Sequence, residues 1–184
     1  GYDTNRTVVT FAGEPESVIL AAFFAIKKAS DLIDMRKHTG EHPRMGSTDV
    51  CPIVPIQNVT INECIAYSET LGRKVAELLN IPVFLYEYSA KNVLRKNLAN
   101  IRLGQYEGME NKLKKKDWKP DFGPSKLNKV SGVIAIGVRD FLIAYNVNLN
   151  TEDKKKASDI ALDIREKGRA KRDSKGKIVR DKKG

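Results

Sequence analysis

Residues 60–86 read TINECIAYSETLGRKVAELLNIPVFLY, and the two halves of this stretch follow different hydrophobic patterns. In the first half, Thr60 and Glu63 have the spacing of a capping box, in which each side chain accepts a hydrogen bond from a free amide at a helix start. Apolar side chains then recur every three or four positions up to about Asn80, at Cys64, Tyr67, Leu71, Val75 and Leu78. The second half, Pro82–Tyr86, is a short run rich in β-branched and aromatic residues. The stretch therefore predicts a helix followed directly by a strand.

A similar alternation precedes this stretch. Thr7–Phe11 is β-branched and aromatic and is closed by Gly13, which predicts a strand ending in a turn. Pro15 suits a first helical turn, and helical spacing continues until about Arg36, at Val18, Ala22, Ala25, Ala29 and Ile33. A loop rich in Gly, Pro, Ser and Thr then leads into the apolar run Val50–Ile56, predicted as a strand. The order up to Tyr86 is β-α-β-α-β.

The C-terminal half adds a predicted hairpin. Ser89–Lys116 is polar and moderately helical, whereas Val133–Val138 and Phe141–Val147 are strand-like runs separated by two residues. Thr151 is predicted to cap a last helix that ends near Gly168. Alternating strands and helices with one hairpin favour an α+β two-layer sandwich, with a mixed sheet covered by helices on one face, over a purely parallel doubly wound sheet. The sequence contains neither G-x-G-x-x-G nor G-x-x-x-x-G-K-[ST], so these nucleotide-binding motifs are excluded.

Composition narrows the class of protein. The 184 residues carry a formal charge of +10 with 41% hydrophobic residues, which is typical of one soluble globular domain or slightly more. No apolar stretch approaches the ~20 residues of a membrane span, and the N-terminus does not resemble a secretory leader. Cys51 and Cys64 are too few for a disulfide framework and are predicted to be reduced and buried. We therefore expect a cytoplasmic location and no membrane partner.

The positive charge is concentrated in the tail. Residues 168–184 read GRAKRDSKGKIVRDKKG, which cannot form an apolar core by itself. A solvated linker and a docking patch for an anionic ligand or nucleic acid are both consistent with this charge. No aromatic residue follows Tyr145, so the tail lacks the stacking platforms of proteins that bind single-stranded nucleic acid. The sequence does not favour a nucleic-acid partner.

Both histidines, His38 and His42, lie in one loop, HTGEHPRMG at residues 38–46. A zinc site is not favoured, because both cysteines lie downstream and the loop's Gly and Pro interrupt the helix that an H-E-x-x-H site needs. An imidazole exchanges protons near neutral pH, so His42 is a candidate base. The adjacent Glu41 and Arg44 are candidates to orient it or to bind substrate carboxylates.

A second loop, residues 123–132, is a weaker candidate. It reads GPSKLNKVSG, in which two glycines bracket small, polar and basic residues. Such a stretch is commonly a plain connection. Its free backbone donors and its two lysines would also suit an anionic heterocyclic ligand.

Four segments together resemble the glutamate formiminotransferase family, which includes the formiminotransferase part of formiminotransferase-cyclodeaminase. They are NRTVVTFAG (5–13), LIDMRKHTGEHPRMGSTDVCPIVPI (32–56), DWKPDFGPS (117–125) and RDFLIAYNVNL (139–149). GEHPRMG followed by DVCP is the most specific part, and the resemblance spans nearly the whole chain. Family members often carry residues similar to SFVPSWG after GPS, whereas this chain has KLNKVSG. The resemblance is weakest at those seven positions.

The resemblance implies a transferase that moves the formimino group from N-formimino-L-glutamate to N5 of tetrahydrofolate in histidine degradation. It implies that His42 is the proton acceptor and that no metal takes part. Tetrahydrofolate, which can carry a polyglutamate tail, is a co-substrate. The residues that match the family's folate-binding stretch are Gly123, Pro124, Ser125, Lys126, Leu127, Asn128, Lys129, Val130, Ser131 and Gly132.

The resemblance also implies a ferredoxin-like fold, as the first of two subdomains with folate in the groove between them. Residues 1–168 would form the N-terminal subdomain without its first strand and helix, and residues 169–184 a basic linker towards an absent C-terminal subdomain. The expected partners are the two substrates and that subdomain, with a homo-oligomer left open. The alternative is a non-catalytic folate-binding fragment that needs the missing flanks for activity.

Overall fold

The structure is a computed structural model that describes residues 1–143, 147–166, 170 and 174. Its main elements in chain order are α1 (Pro15–Leu32), β1 (Val50–Ile53), α2 (Ile61–Leu79), β2 (Val83–Glu87), α3 (Leu98–Arg102), α4 (Gln105–Leu113), β3 (Ile134–Val138) and α5 (Lys154–Ile164). Short 3-10 turns lie at Val93–Arg95 and Lys116–Trp118. The chain divides into two compact units, Gly1–Phe141 and Leu142–Gly184, and only α5 among these elements belongs to the second.

The first unit is built on a three-stranded sheet in the order β1-β3-β2. Both neighbours pair with β3 in parallel, so that Ile136 lies opposite Cys51 on one side and Leu85 on the other. All five residues of β3 are buried. A central strand in a parallel sheet is covered on both faces, which explains why the sequence of β3 is apolar without alternation.

Each face of the sheet packs against its own hydrophobic core. On one face, Ile134 and Ile136 join side chains from α1 and α2, among them Phe23, Leu71 and Val75. On the other face, Phe84 and Tyr86 join side chains from α3, α4 and the loops: Met45, Ile101, Met109 and Leu113. Successive strand residues point to opposite faces, so each strand supplies both cores.

The predicted capping box is confirmed at the start of α2. The Thr60 side chain accepts a hydrogen bond from the Glu63 amide, and the Glu63 carboxylate accepts one from the Thr60 amide. Asn80 ends the helix in the left-handed conformation, with a φ of 54°. Helix α1 begins at Pro15 as predicted and ends at Leu32, four residues before the predicted end.

The α+β class is confirmed, but two predicted features of the sheet are wrong in the described part of the chain. The sheet is parallel rather than mixed, because Phe141–Ile143 and Val147 form no strand beside β3. The remaining residues of that predicted strand, 144–146, lie outside the described residues. Helices cover both faces rather than one, since α3 and α4 pack opposite α1 and α2. The reason is that the polar segment after β2 has enough apolar positions to close a second core.

The predicted strand at Thr7–Phe11 is also wrong in this structure. These residues form no described strand, and the side chains of Val8 and Val9 are 84% and 71% exposed. A β-branched run needs a partner strand to satisfy its backbone groups, and propensity alone does not provide one.

In the second unit, α5 starts later and ends earlier than predicted. Its N-cap is Asp153, whose carboxylate accepts hydrogen bonds from the amides of Lys155 and Lys156. Thr151 instead accepts a hydrogen bond from the Asp153 amide. The helix ends at Ile164, and Gly168, where the sequence placed its end, lies outside the described residues. Within the described ranges, no helix is both long and apolar enough to cross a membrane.

Candidate active site

The GEHPRMG loop (residues 40–46) connects the end of α1 to β1 and is anchored by its C-terminal half. Met45 is fully buried, and its amide donates a 2.8 Å hydrogen bond to the Asp49 carboxylate. Gly46 lies so close to Val133 that a Cβ there would meet the Val133 carbonyl oxygen. The loop is therefore held against β3 by main-chain packing that tolerates only glycine at position 46.

Asp49 is the centre of a buried ionic cluster, which we call the Asp49 cluster: Arg6, Asp49 and Arg102. Arg102 donates to Asp49 Oδ2 from Nε at 2.8 Å and from Nη2 at 2.5 Å, while Arg6 Nη1 lies 3.3 Å from the same oxygen. The Asp49 side chain is 8% exposed, and those of Arg6 and Arg102 are 22% and 19% exposed. The cluster therefore presents excess positive charge to water beside the loop.

His42 contacts the Asp49 cluster through one ring nitrogen. Its Nδ1 lies 2.6 Å from Arg6 Nη1 and 2.7 Å from the carbonyl oxygen of Pro43. The side chain is half-buried, and in the described part of the chain Nε2 has no hydrogen-bond partner. His42 is thus fixed on its Nδ1 edge, while Nε2 is left for a ligand.

His38 has a different environment although it lies in the same loop. Its Nε2 is 3.0 Å from the carbonyl oxygen of Asn5, and its Nδ1 is buried without a hydrogen-bond partner among the described residues. A ring whose exposed edge is already bonded to the main chain has no nitrogen left for proton transfer. The structure therefore separates the two histidines and favours His42 as the base.

Arg44 fixes the loop to α4 instead of facing a ligand. Its guanidinium is buried and donates to both carboxylate oxygens of Glu107, at 2.9 and 2.6 Å, and to the carbonyl oxygen of His38. The hydrogen bond from Arg44 lowers the pKa of Glu107 below its ordinary value. Arg44 is therefore already paired, whereas the arginines of the Asp49 cluster are more exposed to water.

The structure brings one end of the 123–132 stretch to the loop. The Ser47 amide donates to the Ser131 carbonyl at 2.9 Å, and the Val133 amide donates to the Met45 carbonyl at 3.0 Å. Gly132 has a φ of 72°, and a Cβ there would meet the main chain of Met45 and Gly46. The two candidate loops are therefore joined through their main chains.

The middle of the stretch is a turn held by Asn128. Its side-chain oxygen accepts hydrogen bonds from the amides of Val130 and Ser131, at 3.1 and 3.0 Å. The Lys129 carbonyl accepts a 2.6 Å hydrogen bond from the Tyr106 hydroxyl. Lys126 and Leu127 lie before this turn, and Leu127 packs on the core that contains Met45.

The other end of the stretch is placed elsewhere. Gly123 has a φ of 87° and lies against Ile81, after the end of α2. Gly123 and Pro124 line a surface cavity of about 460 Å³ together with Arg73, Ala76, Glu77, Asn80, Asp121 and Phe122. The cavity lining includes neither His42 nor its loop, so among the described residues it is the Val130–Gly132 end of the stretch that lies at the loop carrying the candidate base.

Sequence reasoning missed Arg6, Asp49 and Arg102. Arg6 lies 43 positions from Asp49 along the chain and Arg102 lies 53 positions from it, so no local sequence pattern connects the partners of these ion pairs. One signal was available: Asp49 directly precedes an apolar strand, where an acidic side chain needs a partner once it is buried. Among the described residues, no group of three or more His, Cys, Asp or Glu side chains is placed to hold a metal ion.

Cys51 and Cys64 are free thiols whose pKa values are raised. Cys64 is buried and Cys51 is half-buried. Burial raises the pKa of the Cys51 thiol to about 11 and also raises the pKa of Cys64. Neither is activated as a nucleophile at neutral pH.

Comparisons with known proteins agree with the motifs of these loops. The family model described as "Formiminotransferase domain, N-terminal subdomain" matches residues 1–139, and "Formiminotransferase domain" matches residues 144–183. A formimidoyltransferase-cyclodeaminase from Dictyostelium discoideum is 52% identical over 169 residues, which is 92% of this chain and 31% of the relative. A glutamate formimidoyltransferase from Streptococcus pyogenes serotype M1 is 49% identical over 164 residues, or 89% of this chain and 55% of the relative. The chain thus spans between about a third and about half of the length of these relatives.

Proposed function

This chain belongs to the formiminotransferase family, and we propose that it is the part of a glutamate formiminotransferase that carries the proton acceptor, His42. The reaction moves the formimino group from N-formimino-L-glutamate to N5 of tetrahydrofolate. The observation that carries the proposal is the environment of His42, with Nδ1 held by the protein and Nε2 open. His38, which lacks an open nitrogen, is not part of the proposal.

The chemistry requires one proton to change place. As N5 bonds to the formimino carbon, N5 loses its proton, and His42 takes it at the open ring nitrogen. The resulting tetrahedral carbon then breaks its bond to the glutamate nitrogen, which receives a proton as it leaves. A positioned base is worth about 10² to 10⁴ in rate, and holding the two substrates together provides the remainder.

Charge and main-chain donors suit these substrates. Both substrates are anionic, and the Asp49 cluster offers two partly exposed guanidinium groups, of which that of Arg6 contacts His42. We propose that folate contacts the stretch from Gly123 to Gly132 and that its reactive ring lies at the Val130–Gly132 end, which is bonded to the loop. No metal ion enters this scheme.

The remaining expectations are proposals of the same kind. We propose that residues 1–168 belong to the N-terminal subdomain, that residues 169–184 lead to a C-terminal subdomain, and that folate lies in the groove between the two. We also propose a cytoplasmic location and a ferredoxin-like fold for the N-terminal subdomain. A homo-oligomer is compatible with these proposals.

The test combines binding and turnover. Calorimetry with 5-formyltetrahydrofolate measures folate binding, and a parallel assay follows formimino transfer from N-formimino-L-glutamate. In an active protein, His42→Ala should lower turnover by about 10² to 10⁴ while folate binding is kept. His38→Ala is the matched control, since it removes a histidine from the same loop, and it should retain turnover. Near-normal turnover in His42→Ala would overturn the assignment.

A second candidate function follows from the coverage of the relatives. Because the chain spans only 31% to 55% of the two relatives described above, it is also a candidate folate-binding fragment that needs further sequence for catalysis. Folate binding without transfer would support this alternative. If the folded chain showed neither binding nor transfer, both functions would be excluded for the chain alone.

A further inference from the structure

The Nδ1 atom of His42 has two neighbours that make opposite demands on it. Arg6 Nη1, at 2.6 Å, can only donate a hydrogen bond, whereas the Pro43 carbonyl oxygen, at 2.7 Å, can only accept one. Nδ1 must carry its proton to bond Pro43 and must lack it to bond Arg6. The position of Arg6 therefore determines which nitrogen of the neutral ring carries the proton.

With Arg6 in its observed place, the arrangement favours an unprotonated Nδ1. A neutral guanidine does not occur in proteins, so a protonated Nδ1 would face a permanent cation across 2.6 Å. Nη1 carries two protons, and it also lies 3.2 Å from the Pro43 oxygen. Its two protons can therefore serve Nδ1 and the Pro43 oxygen, with the Asp49 carboxylate, at 3.3 Å, as a longer third contact. The ring proton then resides on Nε2, the open edge of His42.

Arg6 is held more weakly than its counterpart in the Asp49 cluster. Arg102 bonds the Asp49 carboxylate through two nitrogens at 2.8 and 2.5 Å, whereas Arg6 reaches it only at 3.3 Å through Nη1. Throughout the described ranges, Nε and Nη2 of Arg6 form no hydrogen bond. These two donors have the fork geometry that binds a carboxylate in two places.

We propose that Arg6 is a positioning residue that couples carboxylate binding to the proton location on His42. In the free protein, Nη1 holds Nδ1 and the proton lies on Nε2. A substrate carboxylate that engages the open fork of Arg6 draws Nη1 away. Nε2 then releases its proton to water, Nδ1 takes a proton from water and donates it in a hydrogen bond to the Pro43 oxygen, and Nε2 becomes the proton acceptor. This coupling rests on the proposed function for its purpose, but the tautomer itself is measurable without turnover.

The experiment is a ¹⁵N NMR spectrum of the histidine rings in the full chain, at a pH where ordinary imidazole is neutral. His42→Gln assigns the signals, because the chain has only two histidines. We expect the proton of His42 on Nε2 in the wild type and on Nδ1 in Arg6→Met. Arg102→Met is the matched control, since Arg102 bonds the same aspartate without contacting His42, and it should keep the wild-type tautomer. His38 should be unchanged in every spectrum.

Glutarate, a dicarboxylate, tests whether carboxylate binding moves the ring proton of His42. Chloride at equal ionic strength is its control. In the wild type, glutarate should move the His42 proton towards Nδ1, and in Arg6→Met it should change nothing further. A wild-type proton already on Nδ1, or no change in Arg6→Met, would overturn the role of Arg6. An unchanged wild-type tautomer at the highest soluble glutarate concentration would overturn the coupling. Because the wild-type spectrum is informative by itself, a variant that fails to fold leaves the proposal testable.

Discussion

The Asp49 cluster and a second ion pair, Arg95 with Asp121, use the same side-chain chemistry in different surroundings. Arg95 Nη1 lies 2.7 Å from Asp121, and both side chains are below 10% exposed. Asp121 also accepts the Leu85 amide, and Arg95 donates to the Lys119 carbonyl and lies over the Phe84 ring. In the Asp49 cluster the aspartate is equally buried, but both arginines reach water. A closed pair stabilises the fold, whereas a cluster with open donors can also meet a ligand.

The largest expected loss of stability comes from breaking the buried pair of Arg95 and Asp121. Asp121→Ala would leave the Arg95 charge buried without its partner, which typically costs about 3 to 5 kcal/mol. We expect a free energy of unfolding lower by that amount in urea titration. Asp31→Ala is the matched control, because it removes an exposed partner of Lys27, a pair worth about 0.5 kcal/mol. Equal losses in the two variants would contradict the structural role of Asp121.

Asp49→Ala should lower the stability of the protein less than Asp121→Ala does, and it should perturb the candidate site more. Asp49→Ala removes the acceptor of the Met45 amide and of two arginines, but Arg6 and Arg102 can turn towards water. We expect a loss of about 2 kcal/mol, in the range for hydrogen bonds to charged groups, measured by urea titration. The same variant should change the His42 ring signals, whereas Asp121→Ala should leave them unaltered in the folded fraction. A larger stability loss than in Asp121→Ala would reverse the ranking of the two sites.

The smallest expected effect is the pH dependence of stability that arises from the Arg44–Glu107 pair. The hydrogen bond from Arg44 lowers the pKa of Glu107 below 4.5 in the folded protein. The stabilisation is therefore complete above pH 4.5 and is lost as the pH falls through the lower folded value. Because Glu107 is largely exposed, we expect less than about 1 kcal/mol. Glu107→Gln should remove this part of the acid dependence, measured as unfolding free energy against pH. An unchanged dependence would show that the pair contributes nothing.

The elements that the sequence predicted correctly are specified by nearby residues. Thr60 and Glu63 fix the start of α2 within four residues, and the apolar run of β3 indicates a strand wherever its partners lie. Thr7–Phe11 and Phe141–Ile143 have equally strong strand composition but form no strand here. Composition indicates that a segment can pair with another strand, but whether a partner strand is available depends on the rest of the molecule.

The candidate site shows the same limit. The loop could be selected from the sequence because two histidines in one loop are a local signal, and the resemblance to the family then pointed to His42. The difference between His38 and His42 depends on Asn5, Arg6 and Pro43, two of which come from a distant segment. The Asp49 cluster joins residues more than 40 positions apart. Burial and orientation, which decide the chemistry, arise only when those segments meet.

The main-chain bonds between Met45–Ser47 and Ser131–Val133 have a consequence for how this protein can change over evolution. Hydrogen bonds between peptide groups persist when side chains are exchanged, so the exposed Lys126 and Lys129 can vary without breaking the bonds that hold the loop carrying His42. Leu127 and Asn128 are more constrained, because one packs on the core and the other holds the turn. Ligand preference can change at these exposed positions during evolution, while Gly46 and Gly132 preserve the close main-chain contact between the two loops.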